Sequence, residues 1–290
     1  MGQRTFAIVT DSGCDLSAEY LSINGVELVG LGFAMNGVNY GEDGEAIDGK
    51  EFYAKLRGGA TPTTYQATPE TVRAHVEPLL ELGKDVLCIS FSSGLSGTCG
   101  SYQIAARALT EEFPCRKVLV VDSLCASMGQ GLLVDYAVNM ANGGASIEET
   151  AAYLEGLKRK IVHFFTVDSL YHLKRGGRVS GVTAFVGSIL KIKPILRVDN
   201  DGKLAVAGKA MGRKKALLGI AERLSATAEL GKDDPIFISH ADCLEEAEHV
   251  KELLQRRFPT AKIVVGEIGA VIGAHAGAGT VAVFCKAKMR

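Results

Sequence analysis

Short apolar runs alternate with longer helical stretches along the first 160 residues. The runs at 6–10, 85–91 and 117–122 are β-rich and end at Asp or Ser with turn residues behind them, which predicts buried strands. The segments between them carry legible helix starts. Thr68-Pro69-Glu70 supplies an N-cap followed by proline at the first helical position, and the helix continues through Leu79, Leu80 and Leu82. Asp48/Glu51 and Ser146/Glu149 have the spacing of capping boxes. Such alternation predicts a parallel sheet with helices on its faces.

The pattern changes after residue 159. A strand at 161–167 leads into the basic, glycine-punctuated turn 173–178, and an apolar helix is expected at 182–190. Residues 195–198 and 204–207, joined by Asp199-Asn200-Asp201-Gly202, read as a hairpin. Helices near 212–228 and 242–258 follow, the second opening on Asp242 and Glu245 in capping-box spacing, with strands near 236–239, 263–267 and 280–285. The expectation is a two-domain α/β protein: an N-terminal parallel α/β domain, 1–159, and a C-terminal mixed α/β domain, 160–290.

The length of 290 residues and a 47% hydrophobic content suit two modest domains and exclude a disordered chain. No two of the seven cysteines are closer than ten residues, so there is no CxxC pair for a metal or redox site, and the odd count suits a reducing compartment. The N-terminal residues lack an apolar leader, and no stretch reaches the 18 apolar residues of a membrane span, so the chain reads as cytoplasmic without a stable membrane anchor. Net charge is −1, yet residues 158–215 carry fourteen Lys/Arg against three acids. That local surplus of eleven leaves −12 for the rest, so the charge is segregated. No aromatic or recognition-helix signature accompanies the basic segment, which disfavours nucleic acid as a partner. A solvated face and a docking surface for an acidic protein both remain open.

No phosphate loop, dinucleotide fingerprint or nucleophile elbow has its required spacing, and no cofactor is implied. What stands out is a set of hydroxyl-rich loops. Ser92-Ser93-Gly94-Leu95-Ser96-Gly97-Thr98 follows a strand and precedes a helix, the position where parallel sheets bind ligands and helix N-termini hold anions. Ser96 can equally serve as a plain helix cap. Thr61–Thr68 and Thr10–Asp15 form two further polar clusters, and His275 lies among residues too small to bury it locally.

Taken in order, Thr10-Asp11-Ser12, Thr64-Tyr65-Gln66-Ala67-Thr68-Pro69, the 92–98 loop, Leu173-Lys174-Arg175-Gly176-Gly177-Arg178-Val179-Ser180 and Gly273-Ala274-His275 resemble the DegV family. These are bacterial fatty-acid-binding proteins, some of them acyl-binding subunits of fatty acid kinase. The resemblance covers nearly the whole chain. It implies a long-chain fatty acid held between two α/β domains and presented to a separate ATP-binding kinase subunit. Carried over position by position, the carboxylate-binding residues are Thr64, Ser92, Ser93, Ser96 and His275. Lys174, Arg175, Arg178 and Arg213 become the partner-docking residues. The chain departs from the pattern at Ala67 and Ala278, where the family has proline, and at Met211, where many members have arginine.

An acyl chain buried at about 0.8 kcal/mol per CH₂ gains on the order of 10 kcal/mol gross. Hydrogen bonds to a charged group add about 1.5–3 kcal/mol each. Hydroxyls would therefore orient the carboxylate while apolar walls supply affinity. Phe164, Phe165 and the 184–190 segment are candidate walls, or ordinary core. The competing expectation is a Ser/His acyl-ester hydrolase using Ser96 or Ser93 with His275.

Overall fold

A computed structural model describes residues 4–42, 44–178 and 192–290. The chain begins with β1 (Phe6–Asp11), α1 (Ala18–Ile23) and β2 (Val26–Val29), followed by β3 (Gly32–Met35), β4 (Val38–Tyr40), α2 (Gly49–Arg57) and β5 (Thr63–Tyr65). Next come α3 (Pro69–Glu81), β6 (Asp85–Ser90), α4 (Thr98–Glu112), β7 (Val118–Asp122), α5 (Met128–Asn142) and α6 (Ile147–Leu157). The second half contains β8 (Ile161–Thr166), α7 (Tyr171–Arg175), β9 (Ile192–Val198), β10 (Leu204–Met211) and α8 (Arg213–Thr227). It closes with β11 (Ile236–His240), α9 (Leu244–Arg257), β12 (Ile263–Glu267), α10 (Ala270–Ala276) and β13 (Val281–Lys286).

The first half carries a parallel sheet in the order β2-β1-β6-β7, as the strand–helix alternation predicts. The second carries a mixed sheet in the order β10-β9-β8-β13-β11-β12, in which β11 and β12 pair in parallel and the other pairs are antiparallel. Between the sheets lies α5, whose Leu132, Leu133 and Val134 are all fully buried. Apart from Asp135, Met140 and the exposed Asn139 and Asn142, α5 is buried, and it packs on β1 and β6 of the first sheet and on β8, β11 and β13 of the second, so it joins the two sheets instead of covering one of them. Ile8 and Leu87 from the parallel sheet share one core cluster with Phe165 and Phe284 from the mixed sheet.

The helix caps at Thr68 and Ser146 form as their local chemistry dictates. The Thr68 hydroxyl accepts from the Thr71 N–H at 3.2 Å, and Ser146 and Glu149 complete a reciprocal capping box. The cap expected at Asp242 does not form. Asp242 adopts a left-handed backbone (φ 52°) and pairs with Arg57 of α2, leaving Cys243 at the start of α9 with no side-chain cap. A long-range ion pair has outcompeted a local hydrogen bond there. The hydroxyl cluster around Thr64 is likewise no free loop. β5 joins β3 and β4 in a small antiparallel sheet, in which Thr64 stands opposite Phe33. Tyr65 lies across Gly32, where a Cβ would sit 2.0 Å from the ring. The helix expected at 182–190, with its candidate walls, lies outside the described residues.

Candidate functional site

A cavity of about 370 Å³ lies between the two sheets, within the range of small-molecule pockets. Its walls are mostly apolar, among them Leu31, Phe91, Phe165, Leu173, Val271 and Phe284. Along β8, Phe165 faces this cavity, while Phe164 packs into the separate core beneath α8 and α9. Period-two alternation thus splits the adjacent phenylalanines between a wall and a core.

Polar groups gather at one end. His275, in the last turn of α10, meets Thr64 of β5, with Nε2 2.8 Å from Oγ1. Gly176, just after α7, makes room for the ring: a Cβ there would lie 2.1 Å from His275 Nδ1. That Nδ1 is buried and has no hydrogen-bond partner among the described residues. Burial first, then the cations of Arg178 and Arg175, push His275 down to about 4, so the ring is neutral near pH 7. An unpartnered lone pair costs less than an unpartnered N–H, so the favoured tautomer keeps Nδ1 bare and donates Nε2–H to Thr64. The Thr64 hydroxyl proton is then free to face the cavity.

Ser96 lines the cavity beside them. Its Oγ accepts the Thr98 N–H at 3.2 Å and lies 2.9 Å from Thr98 Oγ1, so Ser96 turns the chain into α4 while facing the pocket. The N-cap position of α4 is Gly97, which has no side-chain cap, so Ser96 bonds the first helical N–H from one position earlier and is not itself the cap. Gly97 permits the Gln66 amide to pack closely, since a Cβ would lie 2.1 Å from Oε1. Gln66 Nε2 also reaches Ser101 Oγ at 3.4 Å, joining β5 to the first turn of α4.

Ser92 and Ser93 are not brought to the cavity. Ser92 Oγ donates to the Gly202 carbonyl at 2.8 Å and accepts the Gly94 N–H at 3.1 Å, fastening the 92–98 loop to the β9–β10 hairpin. Ser93 is exposed, and its N–H donates to Asp122 at 3.1 Å. The four cations also separate. Lys174 projects into solvent. Arg175 donates to the carbonyls of Pro62 at 2.8 Å and Ala274 at 3.1 Å, tying the entrance of β5 to α10. Arg178 donates to the carbonyls of Leu95, at 3.2 Å, and Gly176, and it lines the cavity. Arg213 pairs with Glu246 at 2.5 Å in a separate polar cleft. Among the described residues, Arg178 is the one cavity-facing cation, and the loop chemistry had not placed it there. The glycine pair before it was the available signal, because it lets the chain double back.

Deeper in, Ser127 Oγ donates to Asp15 at 2.5 Å and lies 3.0 Å from Ser239 Oγ, while the Gly269 N–H donates to Asp15 at 2.9 Å. These bonds join the halves at the cavity wall, which Ser127 itself lines. Burial pushes Asp15 up to about 7 and Asp11 up to about 6. Among the described residues, no helix is long and apolar enough to cross a membrane.

Residues 5–288 match a family model described as "Uncharacterised protein, DegV family". A DegV domain-containing protein of Clostridium perfringens is 40% identical over 282 residues, covering 97% of each chain. A solved structure described as fatty acid binding of a DegV family protein from Thermus thermophilus superposes with a TM-score of 0.88. It is 36% identical and covers 98% of this chain and 99% of that one. DegV from Bacillus subtilis, described as a fatty acid binding protein, superposes with a TM-score of 0.84 at 32% identity, covering 98% of this chain and 100% of that one.

Proposed function

The chain belongs to the DegV family, and from that premise we propose that it binds a long-chain fatty acid in the cavity between its sheets, with the carboxylate at Thr64, Ser96 and His275. The observation that carries the reading is the gradient along the cavity: apolar walls over most of its surface, with donors and a cation at one end. Neutral His275 holds the Thr64 oxygen through Nε2–H, which turns the Thr64 O–H toward the ligand. Ser96 offers a second hydroxyl at the start of α4, where N–H groups without intrahelical acceptors favour negative charge. Arg178 supplies the countercharge that a carboxylate leaving water requires.

The protein acts as a carrier and presents the carboxylate to a separate ATP-binding kinase subunit, which forms the acyl phosphate. The missing phosphate-loop signature supports a division of labour between two chains. Lys174, exposed on α7 next to the polar end, is free to meet an acidic partner, whereas Arg175, Arg178 and Arg213 are engaged within the fold. A Ser/His hydrolase receives no comparable support. Among the described residues, His275 contacts Thr64 rather than Ser96 or Ser93, and its Nδ1 meets no orienting carboxylate.

The test is a denaturing mass spectrum of the organic extract from purified protein. The carrier reading expects about one fatty acid per chain and no ester turnover. An extract free of lipid, with ester hydrolysis abolished by Ser96→Ala, would overturn it.

A further inference from the structure

The two long strands lining the cavity give it a direction. β8 and β13 run antiparallel with Phe165 opposite Ala282 and His163 opposite Phe284, and all four residues line the cavity. Thr280, just before β13, belongs to the end that holds His275 and Ala276. Phe284 lies four residue steps along the chain from Thr280, about 13 Å at the usual strand rise. Movement along β13 away from the carboxylate site therefore ends at the His163–Phe284 pair.

His163 is built as a stop. It is 2% exposed, and its ring packs edge-on to Phe284 with centroids 5.2 Å apart. Nδ1 lies 3.1 Å from the Ile161 carbonyl, which can only accept, so Nδ1 carries the proton. Nε2 accepts the Ala126 N–H at 3.4 Å. Both nitrogens are thus occupied, and the ring has no hydrogen-bonding valence left for a ligand. It cannot retreat toward α5 either, because a Cβ on Gly129 would already lie 2.1 Å from Nε2.

We propose that His163 is the floor of the tunnel and sets the acyl chain length this protein accepts. The inference rests on the fatty-acid reading above and adds to it the residue that measures the chain. The methyl end abuts an immobile ring whose polar atoms are satisfied by the backbone. A chain one step too long must bend or leave its carboxylate short of Thr64.

The experiment loads wild-type protein, His163→Ala and Gly129→Ala with an equimolar series of saturated fatty acids and reads the bound chain lengths by mass spectrometry. Thermal melts serve as the fold check. His163→Ala opens the floor and should shift the bound distribution toward longer chains, roughly tenfold in relative occupancy for two added carbons. Gly129→Ala pushes the ring into the tunnel and should shift the distribution toward shorter chains. The opposite directions let either variant decide if the other fails to fold. Fatty acid bound with the same chain lengths in the wild type and every folded variant overturns the inference alone. Wild-type protein that takes up no fatty acid overturns the carrier reading, and this inference with it.

Discussion

Two histidines line the same cavity, and both are neutral near pH 7 because burial penalises their charged forms. Their surroundings give them different work. At the floor, backbone groups occupy both nitrogens of His163, and the ring is fixed against Phe284 and Gly129. At the polar end, His275 has one nitrogen without a partner among the described residues and the other on a hydroxyl that can itself donate onward. A histidine with saturated valences acts as shape. One with an open relay acts as chemistry. On the proposed reading, the cavity has one end that reads charge and one that reads length.

The largest expected break in this comparison comes at Arg178. Arg178→Glu places an anion where the ligand carboxylate needs a cation, and fatty acid affinity should fall by about 100-fold or more in a fluorescent fatty acid titration. Unchanged affinity would mean that Arg178 only braces the Leu95 and Gly176 carbonyls. Next is pH. The His275 value of about 4 lies below the ordinary 6.5, so its neutral state contributes to stability above pH 6.5, and that contribution is lost as pH falls toward 4. In lipid-free protein, the stability advantage of wild type over His275→Gln should shrink by about 2 kcal/mol across that window, measured by urea melts. Asp11 and Asp15 titrate with the opposite sign, holding protons in the fold that are lost as pH rises toward 6 and 7. They are common to both proteins and cancel in the difference.

Thr64→Val should cost roughly tenfold in affinity while leaving chain-length preference unchanged, because it alters only the charge-reading end. The smallest effect belongs to Lys174→Glu. Its exposed side chain should leave lipid binding unaltered and lower only the association rate with an acidic kinase partner, a loss that rises at low salt.

The parallel sheet was legible because its central strands are continuous apolar runs and its caps are local. Ser146 and Glu149 lie three residues apart and need no distant partner. The site was legible only in part, since its main contact joins residues 211 positions apart. Loop chemistry marks Ser92, Ser93 and Ser96 alike, and the hairpin turn at Gly202 decides that Ser92 faces away from the cavity. β5 escaped notice because Thr63–Tyr65 has no apolar run and is held by close approach to Gly32. Asp242 looked like a cap until Arg57, far away in sequence, claimed it. His163 carries no motif. The role proposed for it follows from which strand it stands opposite, a relation that local sequence does not encode.

The orientation of the ligand tests the account most directly. Palmitate labelled with ¹³C at its carboxyl carbon gives a resonance that reports the groups around the carboxylate. The account predicts one bound signal that moves in Thr64→Val and stays in place in His163→Ala. A signal moved by His163→Ala and indifferent to Thr64→Val would put the carboxylate at the opposite end and contradict it.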